Sequence, residues 1–354
     1  MILSQRSQFT NRVLKYAVYL SVLWCITTTS TIVLFFSSPP PRGLSTAPAT
    51  PHSSNDMHHG KLIIAATVRD VAPYLSKLKP IIVSATEHFE ISGLVFFEND
   101  SKDGTVAKLR QWSNIAPVHI LSSNSLQHTP RTTALALGRN TVWQTIARQL
   151  STTDYVLWLD MDEVNFGLAH LDSCLDLPSS WSACCVNQYY LYYDLWALRH
   201  EDWMPCDWWN TCSAEFRSTT ETMRAKHIPA DHPPIRVDSC FGGAVLYKVE
   251  HVRGLDLQQY NGTAEKRVTD TKDGGSHVVS SEGCEHVPFH LSLREQNPNF
   301  TMFVQPSFLN SGPPLVAHKR SVVDAARPHW EDSFANPKLA QWYDPIRPRG
   351  TKKS

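Results

Sequence analysis

Two aspartates, Asp160 and Asp162, directly follow the short apolar run 155–159. A turn after such a strand can aim both carboxylates into one crevice. Two hard oxygen ligands there suit Mn²⁺ or Mg²⁺ and leave coordination positions for the phosphates of a diphosphate. The metal would assist the departure of that diphosphate by neutralising its charge. A plain acidic turn at a strand end has the same sequence. We take Asp160 and Asp162 as candidate metal ligands. Asp160 is also a candidate contact for the substrate that carries this diphosphate, called the donor below.

A second polar turn, residues 98–105, follows another apolar run and contains Glu98, Asp100 and Asp103. Acidic groups at a strand end can accept hydrogen bonds from the hydroxyls of a ribose or from the edge of a base. A polar turn that caps the next helix is an equally good interpretation. Together with Arg69, which ends the first apolar run, we take these acids as candidates for binding a nucleotide donor.

A segment rich in Cys, Glu and His follows a Gly- and Ser-rich loop. A neutral imidazole is a good Mn²⁺ ligand, so His286 or His290 can complete a metal shell, and we take His286 as the candidate. A lone histidine is more often a structural hydrogen-bonding residue. Glu285 and Asp238 are the candidate catalytic bases near an acceptor hydroxyl. The paired glycines after Asp238 allow either the close approach of a sugar or a tight bend.

Two further features have both a functional and a structural interpretation. Arg139 begins a predicted helix, 139–150, where its guanidinium can pair with a donor phosphate or with a carboxylate of the sheet. The aromatic stretch 192–199 predicts either a sugar-stacking wall or a buried strand with an Asp194–Arg199 ion pair.

The elements that must position these residues alternate along the chain. Apolar runs typical of buried strands occupy residues 61–68, 93–97, 118–121 and 155–159, and helical spacing occupies 72–90, 106–112 and 139–150. This alternation predicts an α/β domain with a mostly parallel sheet sandwiched by helices. Ligands of such sheets bind at the carboxyl ends of the strands, where both acidic turns fall.

The chain has 354 residues, of which 42% are hydrophobic and 19% charged, and its 33 basic side chains balance 33 acidic ones. A net charge of zero gives no general attraction to nucleic acid or to anionic lipid, so a nucleic-acid partner is excluded. The length allows one large core or two modest ones.

The N-terminal region has the organisation of a membrane anchor. Residues 16–36 carry no charged side chain and are long enough for a helix that crosses ~30 Å of hydrocarbon. Arg6, Arg12 and Lys15 precede them, which predicts a cytosolic tail at 1–15 and translocation of the rest. A cleaved signal peptide is the alternative. Residues 37–60, rich in Pro, Ser and Thr, predict a stem. A catalytic domain at 61–312 and a peripheral tail at 313–354 then complete a type II membrane protein.

Seven of the eight cysteines follow the predicted anchor, without the paired spacing of a zinc site. Disulfides in an oxidising lumen are therefore expected, with one cysteine left over. Three sequons begin at Asn99, Asn261 and Asn299. Asn99 should stay unglycosylated if its turn lines a nucleotide pocket.

Three segments, FFENDSKDGTVAKLRQW, GRNTVWQTIA and DYVLWLDMDEVNF, resemble the nucleoside-binding turn, arginine helix and metal-binding strand of the GT-A class of nucleotide-sugar glycosyltransferases. The order of motifs is similar to that of the fungal capsule-associated α-1,3-mannosyltransferases, glycosyltransferase family 69. Its E-x-x-S-x-D-x-T turn, R-N helix and Y-D-x-W-x-x-R segment correspond here to residues 98–105, 139–140 and 193–199. The strand end DMDE differs from the Asn-Asp often found in that family and is closer to other GT-A families, including the glycosyltransferase family 92 type.

The resemblance covers roughly residues 61–310 and implies a GT-A fold in a type II Golgi membrane protein with a luminal catalytic domain. It implies a metal-dependent (Mn²⁺ or Mg²⁺) transfer of a sugar from a nucleoside-diphosphate donor, mannose from GDP-mannose or another hexose, to a hydroxyl of a glycan or glycoprotein. If the reaction follows the capsule family, it retains configuration and needs no base. The alternatives are a non-catalytic glycan-binding protein on the same fold and a luminal metal-dependent hydrolase.

Overall fold

The computed structural model describes residues 59–188, 192, 194–208, 210–213, 215–216, 228–269 and 276–310. Within these ranges no helix combines the length and the apolar character that a membrane span requires. The predicted cytosolic tail, anchor and C-terminal tail, with nearly all of the stem, lie outside them.

Strands and helices alternate through the first half of the described chain, and the second half is less regular. The strands are β1 (Lys61–Val68), β2 (Glu90–Asn99), β3 (Val118–Ser123), β4 (Tyr155–Leu159), β5 (Leu168–Ala169), β6 (Ala183–Gln188), β7 (Ile235–Val237), β8 (Ala244–Lys248), β9 (Thr263–Thr269), β10 (Ser276–Glu282) and β11 (Met302–Asn310). The α-helices are α1 (Ala72–Ala85), α2 (Thr105–Arg110), α3 (Arg131–Ile146), α4 (Val249–Val252) and α5 (His286–Gln296). Short 3-10 helices span Gln111–Asn114, Ala147–Thr152, Glu163–Asn165 and Leu171–Asp176.

The main sheet has the strand order β3-β2-β1-β4-β8-β6-β11-β5, with β7 also paired to β11. The first four strands are parallel, as predicted. The other half is mixed: β8 runs antiparallel to β4 and β6, while β6 and β11 are parallel. The α/β class is therefore confirmed, but the expectation of a mostly parallel sheet holds for one half only. The strand-helix alternation that imposes parallel pairing ends at β4.

Helices cover both faces of the sheet, as predicted. Successive residues of a strand point to opposite faces, so Ile63 packs into the cluster that contains α3 and α5 residues, whereas Leu62 and Ile64 pack with α1 and α2 residues. Because β1 lies between β2 and β4 in parallel, the chain segments that follow β1, β2 and β4 leave the sheet at the same edge.

Helix α3 begins at Arg131, eight residues before the predicted start. Pro130 precedes it in an extended conformation (φ −49°, ψ 142°), which starts a helix well because proline needs no amide partner there. The helix lies close to the sheet at Gly138, where a Cβ atom would come within 2.6 Å of Phe97 Cδ1. Arg139 therefore lies on the buried face in the middle of this helix rather than at its start, which corrects the sequence-based assignment.

The expected disulfides are confirmed in the described chain. They join Cys174 to Cys184, Cys185 to Cys240 and Cys206 to Cys212, and the thiol left over is the buried Cys284. The Cys185–Cys240 bridge ties β6 to the glycine bend that precedes β8, next to the acidic turn after β4.

Candidate active site

The acidic turn after β4 is held by its own backbone. The Asp160 amide donates to Gly243 O at 2.9 Å, and Asp162 Oδ1 accepts from the Val164 amide at 3.1 Å. The Asp160 side chain is 33% exposed. Partial burial and the nearby Asp162 carboxylate raise the pKa of Asp160 to about 7, although Arg139 opposes the shift. Burial also raises the pKa of Asp162. Two carboxylates that resist ionisation together form a site that a cation would stabilise.

Arg139 is the buried counter-charge of this turn. Its side chain is 3% exposed; Nε donates to Glu285 Oε1 at 3.1 Å, and Nη2 lies 3.7 Å from Asp160 Oδ1. The guanidinium carbon is 5.0 Å from the Phe241 ring centroid and 5.5 Å from that of Trp158. Burial opposes the charge, but Glu285 and Asp160 outweigh it and raise the pKa of Arg139. Arg139 was predicted to pair with a donor phosphate or with a carboxylate of the sheet, and in the structure it pairs with carboxylates.

The two candidate histidines differ in their hydrogen bonds. Both ring nitrogens of His290 are hydrogen-bonded: Nδ1 is 2.8 Å from Ser239 Oγ and Nε2 is 2.6 Å from Tyr247 Oη. His286 stacks on Phe241 with ring centroids 4.0 Å apart. Neither ring nitrogen has a hydrogen-bond partner within the described residues, although Nε2 lies 3.8 Å from Glu285 Oε1. Burial, together with the positive charge of Arg139, lowers the pKa of His286 well below its ordinary value, so the ring is neutral. A neutral, unpaired imidazole is the form that ligates a metal, which favours His286 over His290.

The predicted metal set of Asp160, Asp162 and His286 is not a closed site. Among the residues that the structure describes, no group of three or more His, Cys, Asp or Glu side chains is arranged to hold a metal ion. Two observations fit a divalent cation all the same: the ring nitrogens of buried His286, which make no hydrogen bond within the described residues, and a pair of partly exposed carboxylates with raised pKa values. The assignment of these three ligands remains a prediction.

The turn after β2 is built mainly by its own acids. Glu98 Oε1 accepts from the Ser101 amide at 2.8 Å, and Asp103 accepts from the amides of Ala72 and Thr105 at 3.0 and 2.9 Å. Desolvation of Asp103 opposes ionisation, but the hydrogen bond from the Thr105 hydroxyl and those from the Thr105 and Ala72 amides keep its pKa below the ordinary value. Glu98 and Asp103 therefore hold the polar turn itself, and helix α2 begins after Gly104 without a side-chain cap.

The other two donor candidates also lie at this edge. Asp100 has a positive φ of 56°, and its Oδ2 accepts from the Leu126 amide at 3.1 Å. A left-handed conformation is strained in a residue other than glycine and is typical of functional turns. Arg69 is exposed and directly follows β1, the strand between β2 and β4. The structure therefore places the donor candidates and the metal candidates along one edge of the sheet, and their contacts with a ligand remain predictions.

The two candidate bases are both engaged in ion pairs. Asp238 pairs with Arg294 through Oδ1 and accepts from the Glu201 amide at 2.8 Å through Oδ2. Glu285 is 5% exposed and belongs to the Arg139 pair. Asp238 thus has the surroundings of a structural carboxylate, whereas Glu285 lies within the candidate site.

The glycine pair forms the tight bend of the structural interpretation. Gly242 and Gly243 have φ values of 69° and 96°, and a Cβ at Gly242 would lie 2.8 Å from Val186 O. The Gly242 amide donates to Asp194 Oδ2 at 3.0 Å. These glycines therefore bring the chain close to its own backbone.

The aromatic stretch is mostly core. Tyr192 is buried, and Trp196 is partly buried and donates from Nε1 to Asp207 Oδ2 at 3.0 Å; residue 193 lies outside the described residues. The Asp194–Arg199 ion pair is not formed. Arg199 Nη2 pairs with Asp207 Oδ2 at 3.0 Å instead, because Asp194 is used by the glycine bend.

Sequence reasoning missed three residues of this site. Arg131, in the first turn of α3, lowers the pKa of both Asp160 and Asp162 by its charge, against the effect of burial. Its position was readable from Pro130, a helix-start signal. Tyr260 covers Arg139, with its ring centroid 5.8 Å from the guanidinium carbon. Asn165 bonds the backbone of the acidic turn. No local pattern marks the last two, because their partners are distant in sequence.

A sheet edge that carries two acidic turns, an Asp-x-Asp pair and a buried arginine is the arrangement expected of nucleotide-sugar glycosyltransferases of the GT-A class. The family model described as Cryptococcal mannosyltransferase 1 matches residues 61–287, more than half of the chain. The chain belongs to this family. The resemblance to the fungal capsule-associated mannosyltransferases is thereby confirmed, and with it the class of glycosyltransferases.

Comparison with curated proteins gave no match. Among solved structures, similarity was found to a mannosyltransferase from Pyrobaculum calidifontis in complex with GDP-Man and Mn²⁺ (14% identity, 75% of this chain and 60% of that chain, TM-score 0.36). Glucosyl-3-phosphoglycerate synthase from Mycobacterium tuberculosis is also similar (8% identity, 70% of this chain and 68% of that chain, TM-score 0.33). The chain thus spans less than two thirds of the first of these proteins. Because these identities and TM-scores are low, the ligands of those proteins do not indicate what this chain binds.

Proposed function

We propose that this protein is a metal-dependent hexosyltransferase of the GT-A class, with mannose from GDP-mannose as the first donor to test. It moves the sugar to a hydroxyl of a glycan or glycoprotein. The observation that carries this proposal is the Asp160–Asp162 turn beside the buried Arg139–Glu285 pair, in a chain that belongs to a mannosyltransferase family.

In this proposal Asp160, Asp162 and His286 hold Mn²⁺ or Mg²⁺. The cation, when bound, supplies charge neutralisation for the departing diphosphate. Arg139 holds Asp160 in place and limits its repulsion with Asp162. The edge formed by Arg69, Glu98, Asp100 and Asp103 binds the nucleoside part of the donor. Both candidate bases, Asp238 and Glu285, are tied in ion pairs, which favours a retaining reaction that needs no protein base.

The test is the thermal unfolding of the full chain in detergent, with Mn²⁺ and each of GDP, UDP, GDP-mannose and UDP-hexoses. We expect one nucleotide to stabilise the protein only when Mn²⁺ is present, by ~2.7 kcal/mol at a hundred times its dissociation constant. The double variant Asp160→Asn, Asp162→Asn should lose the shift. A folded wild-type protein that no nucleotide stabilises would contradict the transferase and support the glycan-binding alternative.

We also propose that the protein is a type II Golgi membrane protein with residues 1–15 in the cytosol, an anchor at 16–36, a stem at 37–60 and the catalytic domain in the lumen. Three disulfides support an oxidising compartment. The uncharged length of 16–36 and the three basic residues before it support the orientation.

This compartment predicts a pattern of N-glycosylation. Asn261 and Asn299 are exposed and should carry glycans, whereas Asn99 is buried and its amide donates to Asp100 Oδ2 at 3.2 Å. A glycan on Asn99 would disrupt that turn, so the folded protein should be unmodified there. Mass spectrometry of the protein from a eukaryotic host, after enzymatic deglycosylation in heavy-oxygen water, measures each site. Asn261→Gln and Asn299→Gln are the controls. A protein without any glycan would contradict the luminal location.

A further inference from the structure

Two fully buried asparagines lie beneath the acidic turn of the candidate site. Asn165 and Asn310 both have an exposed fraction of 0%. They come from different parts of the chain, since Asn165 ends the 3-10 helix after the turn and Asn310 is the last residue of β11. The proposed chemistry gives neither of them a role so far.

Asn165 holds the backbone of Asp160. Its Nδ2 donates to Asp160 O at 2.7 Å and to Gly243 O at 2.8 Å. Because the Asp160 amide also donates to Gly243 O, both backbone polar groups of Asp160 are fixed. The direction of a Cα–Cβ bond follows from the position of its backbone, so these bonds determine where the Asp160 carboxylate leaves the sheet.

Asn310 in turn holds Asn165. Its Nδ2 donates to Asn165 Oδ1 at 2.8 Å and to Val164 O, and its Oδ1 accepts from the Gly167 amide at 3.1 Å. The acceptor role of Asn165 Oδ1 forces its Nδ2 to face the carbonyls of Asp160 and Gly243. The Val164 amide is also the donor to Asp162 Oδ1, so the same pair of amides holds the segment that orients the second carboxylate.

We propose that Asn165 and Asn310 are positioning residues that set the geometry of the Asp160 and Asp162 carboxylates for a divalent cation. This inference rests on the proposed function. An amide suits the task because it donates to two carbonyls without adding a third negative charge beneath two carboxylates. Mn²⁺ and Mg²⁺ prefer near-octahedral oxygen geometry, so a displaced carboxylate weakens binding.

The chain offers a matched control. Asn187 also has an exposed fraction of 0%, and its Nδ2 also donates to two backbone carbonyls, those of Ile228 and Pro306, at 2.9 and 3.2 Å. Asn187→Asp therefore makes the same chemical change at the same burial, at an amide whose donor bonds go to Ile228 O and Pro306 O and not to a carbonyl of the acidic turn. A general loss of stability should affect both variants equally.

The experiment measures Mn²⁺ binding to the full chain by electron paramagnetic resonance of free Mn²⁺, with GDP or UDP present, below the unfolding temperature of every variant. We expect Asn165→Asp and Asn310→Asp to weaken Mn²⁺ binding ~10–100-fold and Asn187→Asp to leave it within ~2-fold, although all three unfold at lower temperature. Binding is measured directly, so the result does not depend on transfer activity.

Equal Mn²⁺ affinity in Asn165→Asp and Asn187→Asp would overturn the inference. It is also overturned if Asn165→Asp and Asn310→Asp both fail to fold while Asn187→Asp folds, because the amides then maintain the fold rather than the geometry of the turn. A wild-type protein that binds no Mn²⁺ with either nucleotide contradicts the proposed function itself, and this outcome is distinct because it appears before any variant is made.

Discussion

Replacing Asp160 by asparagine will reduce sugar transfer by ~10³-fold, a loss of about 4 kcal/mol in transition-state stabilisation. The amide keeps the size of the side chain, but it removes one negative ligand from the proposed cation site and the charge that faces Arg139 at 3.7 Å. Hydrolysis of the donor, in which water takes the sugar in place of the acceptor and GDP or UDP is released, measures the effect with saturating Mn²⁺ and without knowledge of the acceptor.

The same substitution should not destabilise the metal-free protein at neutral pH. Burial and Asp162 raise the pKa of Asp160 from 3.8 to about 7, so the folded state binds its proton more tightly than the unfolded state. The stability that this proton contributes is complete below the unfolded pKa and is lost as the pH rises through about 7. Without metal, the wild-type melting temperature should therefore fall over that range, and the fall should be smaller in Asp160→Asn.

The control for this prediction is Asp172→Asn, at a partly exposed aspartate of the 3-10 helix Leu171–Asp176. It should leave nucleotide release within ~2-fold, as surface substitutions usually do. Asp160→Asn with wild-type turnover and wild-type Mn²⁺ dependence would show that the acidic turn is only a structural strand end.

Sequence patterns predicted those parts of the fold that depend on residues close together in the chain. The apolar runs of β1 and β4 and the acids that follow them are contiguous in sequence, and parallel pairing of β2, β1 and β4 places both acidic turns at one edge. Cysteines in a proposed luminal chain predicted disulfides, and the structure supplies their partners. Each of these conclusions needs only nearby residues and a rule about sheets.

The contacts that complete the site join residues far apart in sequence. Arg139 meets Glu285 across 146 positions, and Asn310 meets Asn165 across 145. They depend on β8 entering antiparallel beside β4 and on the position of β11, which no periodicity in the second half of the chain predicts. The choice of partner for Arg139, and the use of Asp194 by a glycine bend, therefore required the structure.

The Arg139–Glu285 pair yields the largest expected effect on stability. Glu285→Gln will lower the free energy of unfolding by ~3–5 kcal/mol, because it leaves a guanidinium that is 3% exposed without its closest carboxylate. Asp160 lies farther away, at 3.7 Å, and is partly exposed, so it compensates only in part. Chemical denaturation of the full chain in detergent, with midpoint and slope compared, measures the change.

A double-mutant cycle separates the pair from simple loss of packing. Arg139→Met keeps an unbranched side chain among the rings of Phe241, Trp158 and Tyr260. The double variant Arg139→Met, Glu285→Gln should therefore lose ~2–3 kcal/mol less free energy of unfolding than the two single variants lose in total. The Lys61–Glu90 pair is the control. Its side chains are 48% and 55% exposed, and Lys61→Gln should lower the free energy of unfolding by less than ~1 kcal/mol.

A loss of less than ~1 kcal/mol in Glu285→Gln would mean that the buried guanidinium does not depend on Glu285. Asp160 would then be its main counter-charge, and a cation bound at Asp160 would compete with Arg139 for the same carboxylate. A large and a small loss of stability in Glu285→Gln therefore indicate two different arrangements of charge in the site. In one, Glu285 neutralises Arg139 and leaves Asp160 available to a metal. In the other, metal binding must first displace an internal ion pair, and Mn²⁺ affinity should rise when Arg139 is replaced by methionine.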